Sequence, residues 1–331
     1  MTYYLGIDGG GSKTTCAVGD DSTTLATATA GPSNVVRVGE AQARKSLYLA
    51  VRQACAAAGI TPAQVTHTCI GAAGAARPEI AATVRRILAE SLSSPIEVVG
   101  DMHIALEAAF GAGPGVVVIA GTGSIAYGRD PQGTIARAGG WGFAISDEGS
   151  AYWIGRSAVT AVLRVSDEEG TRSRYPVEKS SKLGCALMKA WGVGSLDDLA
   201  STANSTPPPD FAALFPAILA SADAGDELAQ KVLTQAGSEL VRLADIAIRR
   251  LFPEAAGPSP ASRSVSSATV ASVPLAMAGG VFRHASLVRQ VFYNEVRNLQ
   301  LRVNLNPQVI DPVEGALRIA RKTPSKSAGA H

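Results

Sequence analysis

Cysteine is scarce: four residues in a chain of 331, and no two of them in a CxxC pair. That spacing argues against a metal or iron–sulfur centre. Cys16, Cys55, Cys69 and Cys185 are expected to be reduced thiols, with Cys16 and Cys69 as small core residues inside apolar strand patterns. Histidine is equally sparse, and His67, His103, His284 and His331 have no ligand spacing; only His103, two residues from Asp101, stands near a candidate site. Excess charge is missing too. A net charge of +2 calls for neither nucleic acid nor an anionic membrane as partner. No apolar run approaches the ~20 residues that span a bilayer. There is no GxxxxGKS or GxxxxGKT, which excludes a P-loop enzyme, and Gly9-Gly10-Gly11 does not fit the GxGxxG of a dinucleotide fold. The chain runs directly into a strand without a basic, apolar, cleavable leader, so the expected location is the cytoplasm.

What is present is a globular composition, 46% hydrophobic and 18% charged, long enough for two domains of ordinary size. The chain is organised around its first thirteen residues. An apolar run over residues 3–7 reads as a buried strand and ends in Asp8, Gly9, Gly10, Gly11, Ser12 and Lys13. Three glycines allow backbone angles that side chains forbid, so the amides could converge on an anion. A carboxylate beside such a nest makes sense if Mg²⁺ lies between it and phosphate oxygens. A tight hairpin explains the same residues equally well, since Asp-Gly between apolar strands is a common hairpin signal.

Strands expected at residues 14–18, 24–30, 65–70 and 96–99 alternate with helices at 40–58, 78–91 and 104–110, which predicts an α/β layer with a largely parallel sheet. The opening pattern then returns. A buried strand at 116–120 ends in Gly121-Thr122-Gly123-Ser124, with further strands at 125–128 and 134–137. This weak internal duplication predicts two similar domains. Helices follow at 150–163, through 177–250 and especially over 226–251, then a strand at 273–278, a helix at 286–300, a strand at 307–310 and a last helix at 312–322. The Pro/Ser/Ala stretch at 253–274 reads as a mobile loop, and 323–331 as a disordered tail.

Glycine turns follow strands at residues 9–11, 71–74, 121–123, 139–142 and 279–280, as expected of one ligand cleft beyond strand carboxyl ends. Asp101, between a strand and a helix, could take a proton from a substrate hydroxyl, as the aspartate does in phosphoryl transfer to an alcohol. Helix capping explains it as well. Trp141, flanked by glycines, is an odd core residue and could offer its face to a sugar. Asp147 and Glu148 could accept sugar hydroxyls or simply favour the start of the next helix.

Six motifs then occur in order: GIDGGGSK at 6–13, GDMHIA at 100–105, IAGTGS at 119–124, GGWG at 139–142, DEGSAYW at 147–153 and AGGVF at 278–282. On these the chain resembles the N-acetylglucosamine kinase branch of the sugar kinase/actin/heat-shock chaperone superfamily, beside the benzoyl-CoA-reductase-activator-type ATPases. The resemblance implies two ribonuclease-H-like domains facing a central cleft: residues 1–114, then 115–311 with a helical insertion, the 312–322 helix packing back on the N-terminal domain. It implies ATP and Mg²⁺ as cofactors and a cytoplasmic homodimer. By position, Asp101 would be the general base. Asn34, Thr122, Gly140, Trp141 and Asp147 would hold the amino sugar together with Asp101. Gly10, Gly11, Ser12, Lys13, Thr122 and Gly123 would lie near the phosphates, Gly279 and Gly280 would flank the adenosine, and Asp8 would serve the Mg²⁺ shell. The chain departs from the family at Gly71-Ala72-Ala73-Gly74, where the human-type member has Ser-Gly-Gly, so one sugar-contacting hydroxyl is absent. The expected reaction is phosphorylation of the 6-hydroxyl of N-acetylglucosamine, with glucosamine or N-acetylmuramic acid as close alternatives. An ATPase activator of a radical dehydratase is the competing class, and it needs interface cysteines.

Overall fold

The computed structural model describes residues 1–168, 181–256, 272–299 and 301–322. They form two compact units. The first takes Met1–Gly113 and the C-terminal stretch from Ile310, and the second runs from Pro114 to Val309.

In the first unit β1 (Tyr3–Gly9), β2 (Thr14–Gly19) and β3 (Thr24–Ala30) are followed by α1 (Val35–Ala57), β4 (Val65–Ala72), α2 (Pro78–Ala89), β5 (Ile96–Gly100) and α3 (Asp101–Phe110). The strand order is β3-β2-β1-β4-β5. β1 and β2 run antiparallel, as do β2 and β3; β4 is parallel to β1 and β5 to β4. Leu5, Ile7, Cys16 and Val18 are buried against Leu47, Ala50, Val51 and Ala54 of α1 and Ile87 and Leu88 of α2. The α1 residues recur at helical spacing, which is why this stretch forms one face-burying helix. Regular helix effectively starts after Gly39, whose φ of 75° breaks the first turn.

The second unit opens with β6 (Gly115–Ala120), β7 (Ser124–Arg129) and β8 (Ile135–Gly139). A helical block follows: α4 (Ala151–Glu168), α5 (Lys182–Trp191), α6 (Leu196–Ala203), α7 (Phe215–Asp223) and α8 (Glu227–Leu251). It closes with β9 (Val273–Ala278), α9 (Gly280–His284), α10 (Ser286–Asn298) and β10 (Val303–Ile310). The order β10-β9-β6-β7-β8 repeats that of the first sheet, third-second-first-fourth-fifth. The duplication is therefore real at the level of topology. The sheets are mixed, which corrects the expectation of a largely parallel layer. The turns after β1 and β6 are too short for a crossover and can only make hairpins. The core of this unit sets Val116 and Val118 of β6 in one apolar cluster with Leu240, Ala244 and Ile248 of α8, Ile154 of α4 and Phe292 of α10.

The last helix, α11 (Pro312–Lys322), belongs to the first unit. Val313 and Leu317 pack on Ala17, and Ala316 and Ala320 on Cys69 and Ile104. A Cβ on Gly315 would stand 1.9 Å from the Ile104 carbonyl oxygen, so α11 and α3 touch through bare backbone. The 253–274 stretch begins with a short 3₁₀ turn, Pro253–Ala256; residues 257–271 and the 323–331 tail lie outside the described residues, and the loop and tail expectations with them. No helix among the described residues is long and apolar enough to cross a membrane.

Candidate active site

In the first unit, register aligns Gly9, Ala72 and Gly100 across β1, β4 and β5. Gly10, Ala73 and Asp101 therefore leave the sheet at one carboxyl edge, where ligands of α/β sheets gather. Asp8 lies one residue inside this edge, paired with Thr15 and Gly71. The glycine turn is closed as a hairpin. The Gly10 N–H donates to the Lys13 carbonyl at 3.0 Å, and none of Gly9, Gly10 and Gly11 has a positive φ. The hairpin thus uses the Gly10 N–H, so Gly10 itself adds no free amide to an anion site. Gly10 serves instead as an acceptor. Its carbonyl takes the N–H groups of Ser33 and Asn34 at 3.1 and 3.2 Å, and the Gly9 carbonyl takes that of Ala73 at 3.2 Å. Thr14 Oγ1 donates to Ser33 Oγ at 2.7 Å and ties in the same loop. Asn34 is thereby fixed as the N-cap of α1, its Oδ1 accepting from Val36 N–H, which leaves its amide NH₂ to donate. Gly11 is half-buried; Ser12 and Lys13 are exposed.

Asp101 is the first residue of α3 and half-buried, with Gly100 as N-cap. Its Oδ1 accepts from Met102 N–H at 3.0 Å. Burial raises its proton affinity above that of an ordinary aspartate; the amide bonds and the neighbouring His103 pull only partly the other way.

In the second unit the same stitching recurs. The Gly121 N–H donates to the Gly123 carbonyl at 2.9 Å, and the Gly121 carbonyl accepts from Ala151 N–H, at the start of α4, at 2.9 Å. Thr122 and Gly123 are half-buried at the turn, and the Thr122 carbonyl accepts from Tyr152 N–H. Ser124 Oγ donates to the Glu148 carbonyl at 2.7 Å. The segment between β8 and α4 is held in unusual backbone: Gly139, Gly140, Gly142 and Gly149 have positive φ, and so does Asp147, at 65°. A non-glycine residue there stores strain of the sort that clusters at functional sites. Asp147 is buried, accepts from Gly142 N–H, and lies so near Gly123 that a Cβ there would meet its Oδ2 at 2.7 Å. Desolvation raises its pKa, and the Glu148 charge adds to the shift. It sits in the turn just before α4, its carbonyl accepting from Ser150 N–H at 3.1 Å. Trp141 is 66% exposed, with the Arg137 guanidinium 4.5 Å from its ring centre. Gly279, φ 97°, caps α9 over the end of β6, and Gly280 opens that helix. Beyond it a cavity of about 290 Å³ is lined by Asp223 of α7, Gln230 and Thr234 of α8, and His284, Ser286 and Leu287.

The two units thus gather separate groups: Asp8, Gly10 to Lys13, Asn34 and Asp101 in the first; Thr122, Gly123, Gly140, Trp141, Asp147, Gly279 and Gly280 in the second. Sequence reading missed two features. One is Arg137 on the tryptophan. The other is a row of rings running from Phe143 to Tyr152 (4.8 Å), Tyr152 to Phe211 (5.2 Å) and Phe211 to Trp191 (5.2 Å). Phe143, two residues past Trp141, was the available signal.

Two repeated sheets with hairpin glycine turns at their carboxyl edges define the class, a two-unit α/β fold of the actin-like ATPase type. The chain belongs to the BadF/BadG/BcrA/BcrD ATPase family, whose model matches residues 5–320. It is 37% identical over 175 residues to an N-acetylmuramic acid/N-acetylglucosamine kinase of Clostridium acetobutylicum, a match covering 52% of this chain and 57% of that protein. An N-acetyl-D-glucosamine kinase of Dictyostelium discoideum is 30% identical over 75% of this chain and 80% of its own length. The crystal structure of a candidate N-acetylglucosamine kinase from Chromobacterium violaceum superimposes with a TM-score of 0.71 at 26% identity, covering 97% of this chain and 99% of that one.

Proposed function

We propose that this chain is an ATP-dependent kinase that phosphorylates the 6-hydroxyl of an amino sugar, N-acetylglucosamine being the favoured substrate. The observation that carries the reading is Asp101: a desolvated carboxylate at a strand end, one residue beyond the sheet edge that holds the glycine hairpin. A base whose proton affinity is raised toward the working pH suits proton transfer from an alcohol. Asp101 accepts the 6-hydroxyl proton as that oxygen bonds to the γ-phosphorus and the bond from that phosphorus to the β-phosphate's bridging oxygen breaks, releasing ADP. Asn34, Thr122, Gly140, Trp141 and Asp147 hold the sugar. Ser12, Lys13, Thr122 and Gly123 face the phosphates, and the cavity beyond Gly279 and Gly280 takes the adenosine.

Among the described residues no three His, Cys, Asp or Glu side chains converge as a metal cage. Asp8, a single carboxylate side chain beside the hairpin, fits Mg²⁺ held mainly by phosphate oxygens and water, where the ion would neutralise phosphate charge. Asp8→Ala should raise the KM for Mg·ATP far more than that for the sugar; an equal rise in both would remove the metal role. The reading places the enzyme in the cytoplasm as a homodimer, which light scattering tests.

Three of the four thiols give the activator reading no support. Cys16, Cys55 and Cys69 are buried. Burial pushes the Cys55 thiol up to about 11 and those of Cys16 and Cys69 upward as well, the reverse of a cluster ligand. A coupled ADP-release assay decides between the classes. Turnover should require N-acetylglucosamine, glucosamine or N-acetylmuramic acid. Equal turnover without sugar would favour the activator.

A further inference from the structure

We infer that Arg137 is a specificity residue that reads an acidic substituent on the sugar, so that the enzyme accepts amino sugars bearing a carboxylate ether, such as the lactyl group of N-acetylmuramic acid, as well as neutral ones. The inference rests on the amino-sugar kinase reading. Arg137 is exposed on β8, with its guanidinium 4.5 Å from the ring centre of Trp141, itself 66% exposed. No acidic side chain pairs with it among the described residues. Its one side-chain hydrogen bond is a long one, 3.5 Å, to the Gly140 carbonyl. Arg250, at the end of α8, donates to the Arg137 carbonyl at 2.7 Å and brings a second exposed guanidinium to the same strand.

Ordinary surface arginines find a carboxylate or remain hydrated. This one is spread on an indole in the very loop that also carries Gly140 and Asp147. Stacking preorganises a guanidinium, and the in-plane N–H edges stay available for a planar acceptor. A carboxylate can take two of those N–H groups at once, whereas a neutral hydroxyl offers a single weaker bond. The arrangement therefore favours an anionic group on a sugar seated against Trp141. If Arg137 served only to clamp the loop, every sugar would depend on it equally, and that difference is measurable.

The test measures kcat/KM for N-acetylglucosamine and N-acetylmuramic acid by coupled ADP release, with wild type, Arg137→Gln and Arg137→Lys. The ratio of the two values should fall about 10-fold or more in Arg137→Gln, through the KM for N-acetylmuramic acid, consistent with loss of a charge-assisted bond. Arg137→Lys, keeping the charge without the fork, should restore part of it. Raising salt from about 50 to about 500 mM should lower the ratio in wild type and leave it flat in Arg137→Gln. Wild type that turns over N-acetylglucosamine but not N-acetylmuramic acid overturns the inference, as does an unaltered ratio in Arg137→Gln. Wild type that releases ADP with neither sugar overturns the kinase reading itself, and the inference with it.

Discussion

Burial favours the protonated form of both Asp101 and Asp147, and in both it is the largest influence. For Asp101 the consequence is testable in two ways. Its folded-state pKa lies above its unfolded value. Its ionised form is therefore disfavoured by folding, and any stability it contributes is present at low pH and lost as pH rises through the folded pKa. At neutral pH the charge costs stability, so Asp101→Asn should raise the thermal midpoint in a calorimetric scan. The same change should lower kcat/KM by about 10²- to 10⁴-fold, the usual worth of a general base. In wild type the acid limb of kcat/KM should sit above the ordinary carboxylate range, because the base must be ionised to accept a proton; the Asn variant should lose that limb. A variant that gains stability but keeps turnover would leave Asp101 as a merely buried acid. Asp101 was legible as an acid after a strand, though the choice between cap and base was not. That choice depends on desolvation by neighbours remote in sequence.

Among the elements, the segment from Gly139 to Gly149 has the most to hold in place. Five of its residues sit at positive φ, and it presents Trp141 to solvent. Phe143 packs on Tyr152 of α4 and joins this segment to Phe211 and Trp191. An aromatic pair contributes about 0.5–1.5 kcal/mol beyond its area. Phe143→Ala should then raise the sugar KM about 2- to 10-fold with a smaller effect on the KM for ATP, and Phe143→Leu should recover most of the loss. Equal changes for both substrates would mean general unfolding of the segment. The sequence made this segment stand out through its glycines and tryptophan. The opposite holds for the first hairpin. There the glycines suggested left-handed backbone, but Gly10 is needed as a close-packed acceptor, its N–H spent on Lys13 and its carbonyl on Ser33 and Asn34. Composition alone cannot separate glycine used for its φ from glycine used for its size.

Across the whole molecule, the chain builds the same five-strand order twice and then sends α11 back to the unit where it began. That return depends on Gly315, since a methyl group would meet the Ile104 carbonyl at 1.9 Å. Overpacking of this kind typically costs about 1–3 kcal/mol, a large share of the ~5–15 kcal/mol that holds a domain folded. Gly315→Ala should lower the urea midpoint accordingly. A midpoint equal to wild type would show that α11 can shift without cost.

By itself the sequence determined the strands, the hairpin turns, their duplication and the candidate residues, because each is written in local terms: an apolar run, a glycine cluster, an acid after a strand. The tertiary structure alone decided the mixed direction of the sheets, the strained backbone of Asp147, the guanidinium on Trp141 and the seat of α11. Each of these depends on which distant backbones come into contact, and on how much water that contact removes from a charge.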